Sequence, residues 1–459
     1  MSSSLPELLR ALLGFALAVG VLVTFHELGH FMMARFFGVR VLRFSIGFGR
    51  PLWRRTSRHG TEWVLAAIPL GGYVKLLDER EGPVPPGLGQ ETLNKRPVWQ
   101  RLLIVLAGPL ANVLLAVVLC WLMFMVGTRG LVPRLGAVAP DSPAARAGLQ
   151  QGDEVTAVGG VVTKTWGQVT LALLWQALRG DVAELAVRSS QATDAVRRVE
   201  LALDTRDVDD GGAGLLPHLG LQPQLPAVPP VVGEVVRRGP AEGILQPGDR
   251  IVSFDGQPVE SWETLVELVH PRGSATVLMT YERGGVVHED RIQVGQRVEE
   301  GRAFGFLGIA AAPPAADAVA AHVVLDRRPV APALLAAWDW TVVMGGATAV
   351  LLVKTVAGQA SARQIGGPVT IAVSAGQSLS GGAGAFLQFM ALLSLSLALL
   401  NALPIPMLDG GHALFYVIEG IKGSPLSERA HLIAQQVGML VLLALLVLAL
   451  YNDLSRLFF

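Results

Sequence analysis

Residues Val21 to Ala34 read VLVTFHELGHFMMA, two histidines and a glutamate set in a run that otherwise suits hydrocarbon. An ionisable side chain at membrane depth costs about 2.5–3.5 kcal/mol on insertion scales, so such residues are read as functional by default. On a helix, positions four apart share a face, which puts His26 and His30 side by side with Glu27 next to them. Imidazole nitrogen suits Zn²⁺, and a catalytic zinc takes three protein ligands and keeps one position for water. A neighbouring carboxylate can take the proton as that water becomes a nucleophile. The residue types and their spacing therefore match peptide-bond hydrolysis. A lone histidine in an apolar helix is more often a hydrogen-bonded core residue, but that reading offers no partner for three ionisable groups on one membrane helix.

Two histidines do not complete a catalytic zinc site. The candidate for the third ligand lies in NALPIPMLDGGHA, Asn401 to Ala413, where Asp409 is the only carboxylate between Gly366 and Tyr416. A buried carboxylate is costly unless it is paired or bound to a metal. Pro404 and Pro406 break the helix, and Gly410-Gly411 give the backbone room to turn so that Asp409 points inward. His412 is a rival ligand, ranked lower because it follows the turn.

Composition agrees with a membrane protein. The chain has 459 residues, 51% hydrophobic and 16% charged, with 37 basic residues balancing 37 acidic ones. Ordinary soluble domains carry about 25% charged residues. The charge balance gives no field for nucleic acid, and a single cysteine, Cys120, excludes an internal disulfide framework. Four runs are long and apolar enough to span: about Leu8–Ala34, Leu102–Val126, Phe386–Leu403 and Ile433–Tyr451. Ala16-Leu17-Ala18 resembles a signal-peptide cleavage site, yet the apolar run continues well past it, so cleavage is not expected. A fifth run, Trp340–Val353, is 14 residues between Asp339 and Lys354 and reads as a helix lying on the membrane. The loop between the first two spans has twelve basic residues against five acids, which places it in the cytoplasm. HELGH and Asp409 then meet at the same depth, and a fifth crossing would separate them.

The long stretch between the second and third spans contains a repeat. LGAVAPDSPAARAGLQQGDEVTAVGG begins at Leu135 and VGEVVRRGPAEGILQPGDRIVSFDG at Val232, with Gly152-Asp153, Gly160 and Trp166 recurring as Gly248-Asp249, Gly256 and Trp262. The period is too long for a solenoid and describes two copies of one small globular domain. The pattern resembles a PDZ domain in circularly permuted form. Asp153 and Asp249 are read as turn-formers.

These motifs in their full order resemble the site-2 proteases, the intramembrane zinc metalloproteases, and within them the bacterial regulator of sigma-E branch. The order is HELGH, SIGFGRPLW, IPLGGYVKLLDE, AGPLANVLLA, the tandem repeat, GGPVTIA and NALPIPMLDGGH, covering nearly the whole chain. The resemblance implies a polytopic α-helical membrane protein of four transmembrane helices, with a membrane-associated β-hairpin region and two tandem extracytoplasmic PDZ domains. Its segments are 1–35, the first helix; 36–101, the cytoplasmic β region; 102–126, the second helix; and 127–225 and 226–315, the PDZ domains. There follow 316–385, with interfacial amphipathic helices; 386–415, the third helix with the LDG motif; and 416–459, the fourth helix and tail. It implies Zn²⁺ held by His26, His30 and Asp409, with Glu27 as catalytic base. It further implies a bacterial inner-membrane enzyme, with PDZ domains in the periplasm and the active site toward the cytoplasm. Its substrates would be single-pass membrane proteins: a trimmed anti-sigma factor and remnant signal peptides.

The same resemblance makes Asn401 a substrate contact and Ile68–Leu77 a strand that binds substrate by β-addition. Gly71-Gly72 would allow a tight turn there, and Tyr73 has strand propensity. Strand addition suits the task, because a helical substrate must be extended before its carbonyls are accessible. Asn112 and Gly108-Pro109 are assigned to helix packing. The PDZ pair is either a receptor for peptide C-termini or a size filter. Two rival classes are a catalytically inactive PDZ-containing membrane scaffold or chaperone and a metal transporter. The first conflicts with the complete catalytic set, and the second lacks a through-going polar path.

Overall fold

The computed structural model describes residues 5–458 except 81, 83, 178, 181, 190–195, 204–213, 300–301 and 358–365. The chain opens with helix α1, Leu5–Phe36, which runs unbroken through Ala16–Ala18. Strands β1, Val41–Thr56, and β2, Glu62–Leu76, follow, and then α2, Val98–Val126. After α2 comes β3 (Thr128–Leu131), and the first repeated unit then holds α3 (Pro143–Arg146), β4 (Glu154–Val158), β5 (Val161–Val162), α4 (Trp166–Ala177), β6 (Val182–Arg188), β7 (Val196–Ala202) and α5 (Leu215–Leu219). The second holds β8 (Val232–Val235), β9 (Arg250–Phe254), β10 (Gln257–Pro258), α6 (Trp262–Val269), β11 (Thr276–Arg283), β12 (Val286–Gln293), β13 (Gly295–Glu299), β14 (Arg302–Phe306) and β15 (Ile309–Ala311). The remainder is α7 (Ala316–His322), β16 (Val323–Asp326), α8 (Val330–Val356), α9 (Pro368–Ser380), α10 (Ala383–Ala402), α11 (Asp409–Lys422) and α12 (Glu428–Phe458).

Among the described residues, five helices are long and apolar enough to cross a membrane: α1, α2, α8, α10 and α12. Leu13, Leu114 and Leu440 are more than 60% exposed, the outward apolar surface that lipid rather than water accommodates. Inside, Ala18 and Leu22 of α1 pack on Leu115, Leu119 and Cys120 of α2, with Ala337 of α8 and Met390 of α10 in the same cluster.

Helix α8 differs from the expected 14-residue surface helix, being 27 residues long. Asp339 and Lys354 lie inside it rather than bounding it. One charge per end does not stop a helix, since a long side chain keeps its charged head in water and the preceding VAPALLAAW is apolar. Its first residue lies at the end of α2, where Trp121 Nε1 donates to Val330 O at 2.9 Å. The depth of Asp409 is set instead by where α10 begins. A Cβ on Gly384 would touch the Gly127 carbonyl at 2.6 Å, so α10 starts at the α2 terminus and runs back toward the histidines.

The two units share one wiring. Their sheets run β5-β4-β6-β7 and β10-β9-β11-β12, with α4 or α6 directly after the short outer strand β5 or β10 in sequence. Each builds its own core, around Val155, Leu173 and Leu185 in the first and around Ile251, Phe254 and Met279 in the second. The recurring aspartates do more than turn the chain, since both are about 1% exposed. Asp153 accepts from Gln150 N and from Arg197, and Asp249 from Gln246 N and both Nε and Nη2 of Arg283.

Burial alone would raise the Asp249 carboxyl, but the Arg283 guanidinium and the Gln246 amide bring it below the ordinary value. A carboxylate whose folded pKa is depressed contributes stability that is complete above its unfolded value, about 3.9, and lost as pH falls below it. Asp249→Asn should therefore flatten the acid limb of the second unit's stability and cost about 1–3 kcal/mol at neutral pH. Hydrogen exchange of β9 and β11 in the intact protein measures both.

β1 and β2 form a folded ribbon rather than a simple hairpin. Residues 43–46 pair with 72–75 on one side and with 62–65 on the other, and 62–65 pairs onward with 53–56. Gly71-Gly72 is thus a bend within β2, with Gly71 at φ +137, and the turn between the strands falls at 57–61. Gly72–Leu76 pairs only with β1 among the described residues, leaving its other edge toward α1.

Candidate active site

α1 brings His26, Glu27 and His30 against α2 because both helices are bare where they cross. A Cβ on Gly29 would overlap the Ala107 carbonyl, and one on Gly108 would overlap the His30 and His26 rings. Gly108 therefore makes room for the imidazoles as well as for the helix. The rings stand edge to face, 4.9 Å between centroids.

From the other end of the sequence, α10 ends at Ala402 and residues 403–408 fold back before α11 starts at Asp409. Its carboxylate lies in the first turn of α11, where the helix dipole favours negative charge. Met407 holds φ +86, a left-handed conformation rare outside glycine, two residues before that carboxylate. The glycines that follow serve a different need from the expected one. Neither has a positive φ, but a Cβ on Gly410 would overlap the Leu403 and Ala402 carbonyls, and one on Gly411 the Ile405 carbonyl. Farther along α11, Glu419 accepts both Arg101 Nη atoms of α2, at 2.6 and 3.0 Å, with Arg101 only 7% exposed. This buried fork clamps the aspartate's helix to the helix that carries Gly108. Nothing in the sequence marks the pair, which is separated by 318 positions.

Three donor atoms converge. His26 Nε2 and His30 Nε2 are 3.3 Å apart, and Asp409 Oδ2 is 3.1 Å from the first and 3.4 Å from the second. Ligand distances of about 2.0–2.1 Å in a zinc tetrahedron put donor atoms about 3.3–3.4 Å apart, so the triangle has the size zinc requires. The chemistry agrees. His30 Nδ1 lies 2.8 Å from the Ile104 carbonyl, which can only accept, so Nδ1 carries the proton and Nε2 presents a lone pair. Asp409 Oδ2 is buried without a hydrogen-bond partner. Lone pairs gathered this closely repel one another unless a cation lies between them.

Glu27 is 9% exposed and turned toward β2. The Val74 backbone hydrogen-bonds its carboxylate, and a Cβ on Gly72 would sit 3.1 Å from its Cγ. The edge of Gly72–Leu76 turned away from β1 therefore borders the Glu27 side chain. Tyr73 points elsewhere, its hydroxyl accepting from Arg43 at 3.1 Å.

The remaining candidates divide. His412 faces His431 and Phe415 rather than the donor triangle. Asn401 lies in the last turn of α10, half-buried, with no side-chain hydrogen bond among the described residues. Asn112, assigned to packing from the sequence, has its Nδ2 3.4 Å from His26 Nδ1.

A family model described as peptidase family M50 matches residues 14–445. The regulator of sigma-E protease RseP of Salmonella typhimurium (strain 14028s / SGSC 2262) is 39% identical over 454 residues, covering 98% of this chain and 100% of that one. Its counterpart in Escherichia coli (strain K12) is 40% identical over 447 residues, covering 97% and 98%. A Xylella fastidiosa (strain Temecula1 / ATCC 700964) protein, provisionally named a zinc metalloprotease, is 38% identical over 455 residues, covering 98% and 99%. Among solved structures, the PDZ domain of an SdrC-like protein from Listeria innocua aligns with 19% of this chain and 97% of its own, at 27% identity and a TM-score of 0.17.

Proposed function

This chain belongs to peptidase family M50 and is a zinc metalloprotease of multi-pass membrane type, and we propose that it cuts peptide bonds within the transmembrane segments of other proteins. In this reading His26, His30 and Asp409 hold the zinc and Glu27 is the catalytic base. The observation that carries it is the donor triangle, drawn from helices at opposite ends of the sequence with edges of 3.1 to 3.4 Å. When bound, zinc supplies Lewis acidity, polarising a carbonyl and acidifying water. Glu27 takes a proton as water attacks the scissile carbon, and returns it to the amide nitrogen as the C–N bond breaks. The edge of Gly72–Leu76 that pairs with no strand offers backbone partners to an extended substrate beside Glu27, and Asn401 holds a substrate backbone group nearby.

The two similarly wired units are read as tandem PDZ domains following the α2 exit, on the periplasmic face of a bacterial inner membrane. The active site then faces the cytoplasm, consistent with the basic loop between α1 and α2. Near-full-length identity to regulators of sigma-E protease favours a trimmed anti-sigma factor as substrate, with remnant signal peptides as a second group.

The test is cleavage of a transmembrane peptide by the reconstituted chain, with Gly72→Ala as a second arm. The added Cβ would stand 2.7 Å from Ser45 O and 2.9 Å from Val23 Cγ1, pushing the strand edge off α1. Misplacing a substrate-positioning element by about 1 Å can cost about 100-fold in rate, so cleavage should fall about 10- to 100-fold at unchanged zinc content. Absence of any wild-type cleavage inside the apolar segment would remove the intramembrane assignment.

A further inference from the structure

The two imidazoles of the donor triangle are supported differently. His30 is settled, because its Nδ1–H donates to the Ile104 carbonyl and its Nε2 lone pair is free. His26 needs the same arrangement to present Nε2, and its Nδ1 must then carry a proton and find an acceptor. The group facing that nitrogen is the Asn112 carboxamide on α2, 0% exposed, with Nδ2 at 3.4 Å. A protonated Nδ1 and an amide NH₂ are both donors and cannot bond. Asn112 Oδ1 has no partner, so no hydrogen bond opposes a half-turn about the Cβ–Cγ bond that exchanges oxygen and nitrogen.

We propose that Asn112 accepts the His26 Nδ1–H through its side-chain carbonyl and so fixes the tautomer that offers Nε2 to zinc. Asn112 is a positioning residue. α2 then orients both histidines by the same device, a main-chain carbonyl one turn from Gly108 for His30 and a side-chain carbonyl one turn beyond it for His26. Ser394 of α10 donates to the Asn112 backbone carbonyl at 2.8 Å, which ties this support to the helix leading to Asp409. A polar side chain at this place is costly, and its burial is explained by the proton it accepts.

The inference rests on the zinc reading above, and competition with a chromophoric chelator separates the two. If full-length wild type in detergent holds no zinc, the zinc reading fails. If wild type holds zinc, the variants decide the role of Asn112. Asn112→Leu keeps the size and loses the acceptor, and should weaken zinc about 10- to 100-fold, the range for losing an outer-shell partner. Asn112→Asp keeps an acceptor and has no donor, and should hold zinc within a few-fold of wild type. Equal affinity in Asn112→Leu and wild type overturns the proposal. So does equal loss in both variants, which would mean a packing role or an amide that donates. If Asn112→Leu does not fold, judged by melting of the metal-free protein, Asn112→Asp decides alone: retention supports the acceptor and loss refutes it.

Discussion

Glu27→Gln should retain one zinc per chain and lose cleavage of a membrane peptide by about 10²–10⁴-fold, the usual contribution of a positioned general base. The two readouts part because the glutamate stands beside the donor triangle without belonging to it. The three donors are His26 Nε2, His30 Nε2 and Asp409 Oδ2. Glutamine has the same size and can still accept from the Val74 backbone, so the fit between α1 and β2 survives. What disappears is a site able to take a proton. If the variant cleaves at the wild-type rate, the base is elsewhere. If it also loses zinc, Glu27 is holding the site together and its assignment as base has no support.

The parts of this site legible in the sequence are those whose meaning is local or solitary. His26 and His30 are four apart on a helix, which fixes a shared face before any partner is known. Asp409 stands out because no other carboxylate occurs for many residues on either side. The repeated units were readable because Gly-Asp and Trp recur in order. What escaped depends on non-local pairing. Asn112 looks like any amide in an apolar helix until α1 is placed against it. Arg101 and Glu419 read as separate charges, yet fold into one buried fork. The double pairing of residues 43–46 follows from how β1 and β2 bend, and alternation within each strand does not encode it. The length of α8 was hidden for another reason. Asp339 and Lys354 look like boundaries in the sequence, but the helix carries both.

Asp409→Asn should weaken zinc binding by more than the roughly 100-fold that bounds the loss of an outer-shell partner, and abolish cleavage with it. A catalytic zinc has three protein ligands, and in the proposed site two come from one helix while Asp409 is the one supplied by the other end of the chain. The substitution is isosteric, so the fold-back at 403–408 and the Gly410-Gly411 contacts remain. The Arg101–Glu419 fork still holds α11 on α2. Only the charge and the lone-pair strength of Oδ2 change, and the loss therefore reads coordination rather than folding. His412→Gln is the matched control. It lies three residues on, directed at His431, and should hold zinc within a few-fold of wild type. Reversal of the two results, with zinc surviving Asp409→Asn and falling in His412→Gln, would transfer the third ligand to the histidine and break the agreement between the donor triangle and zinc geometry.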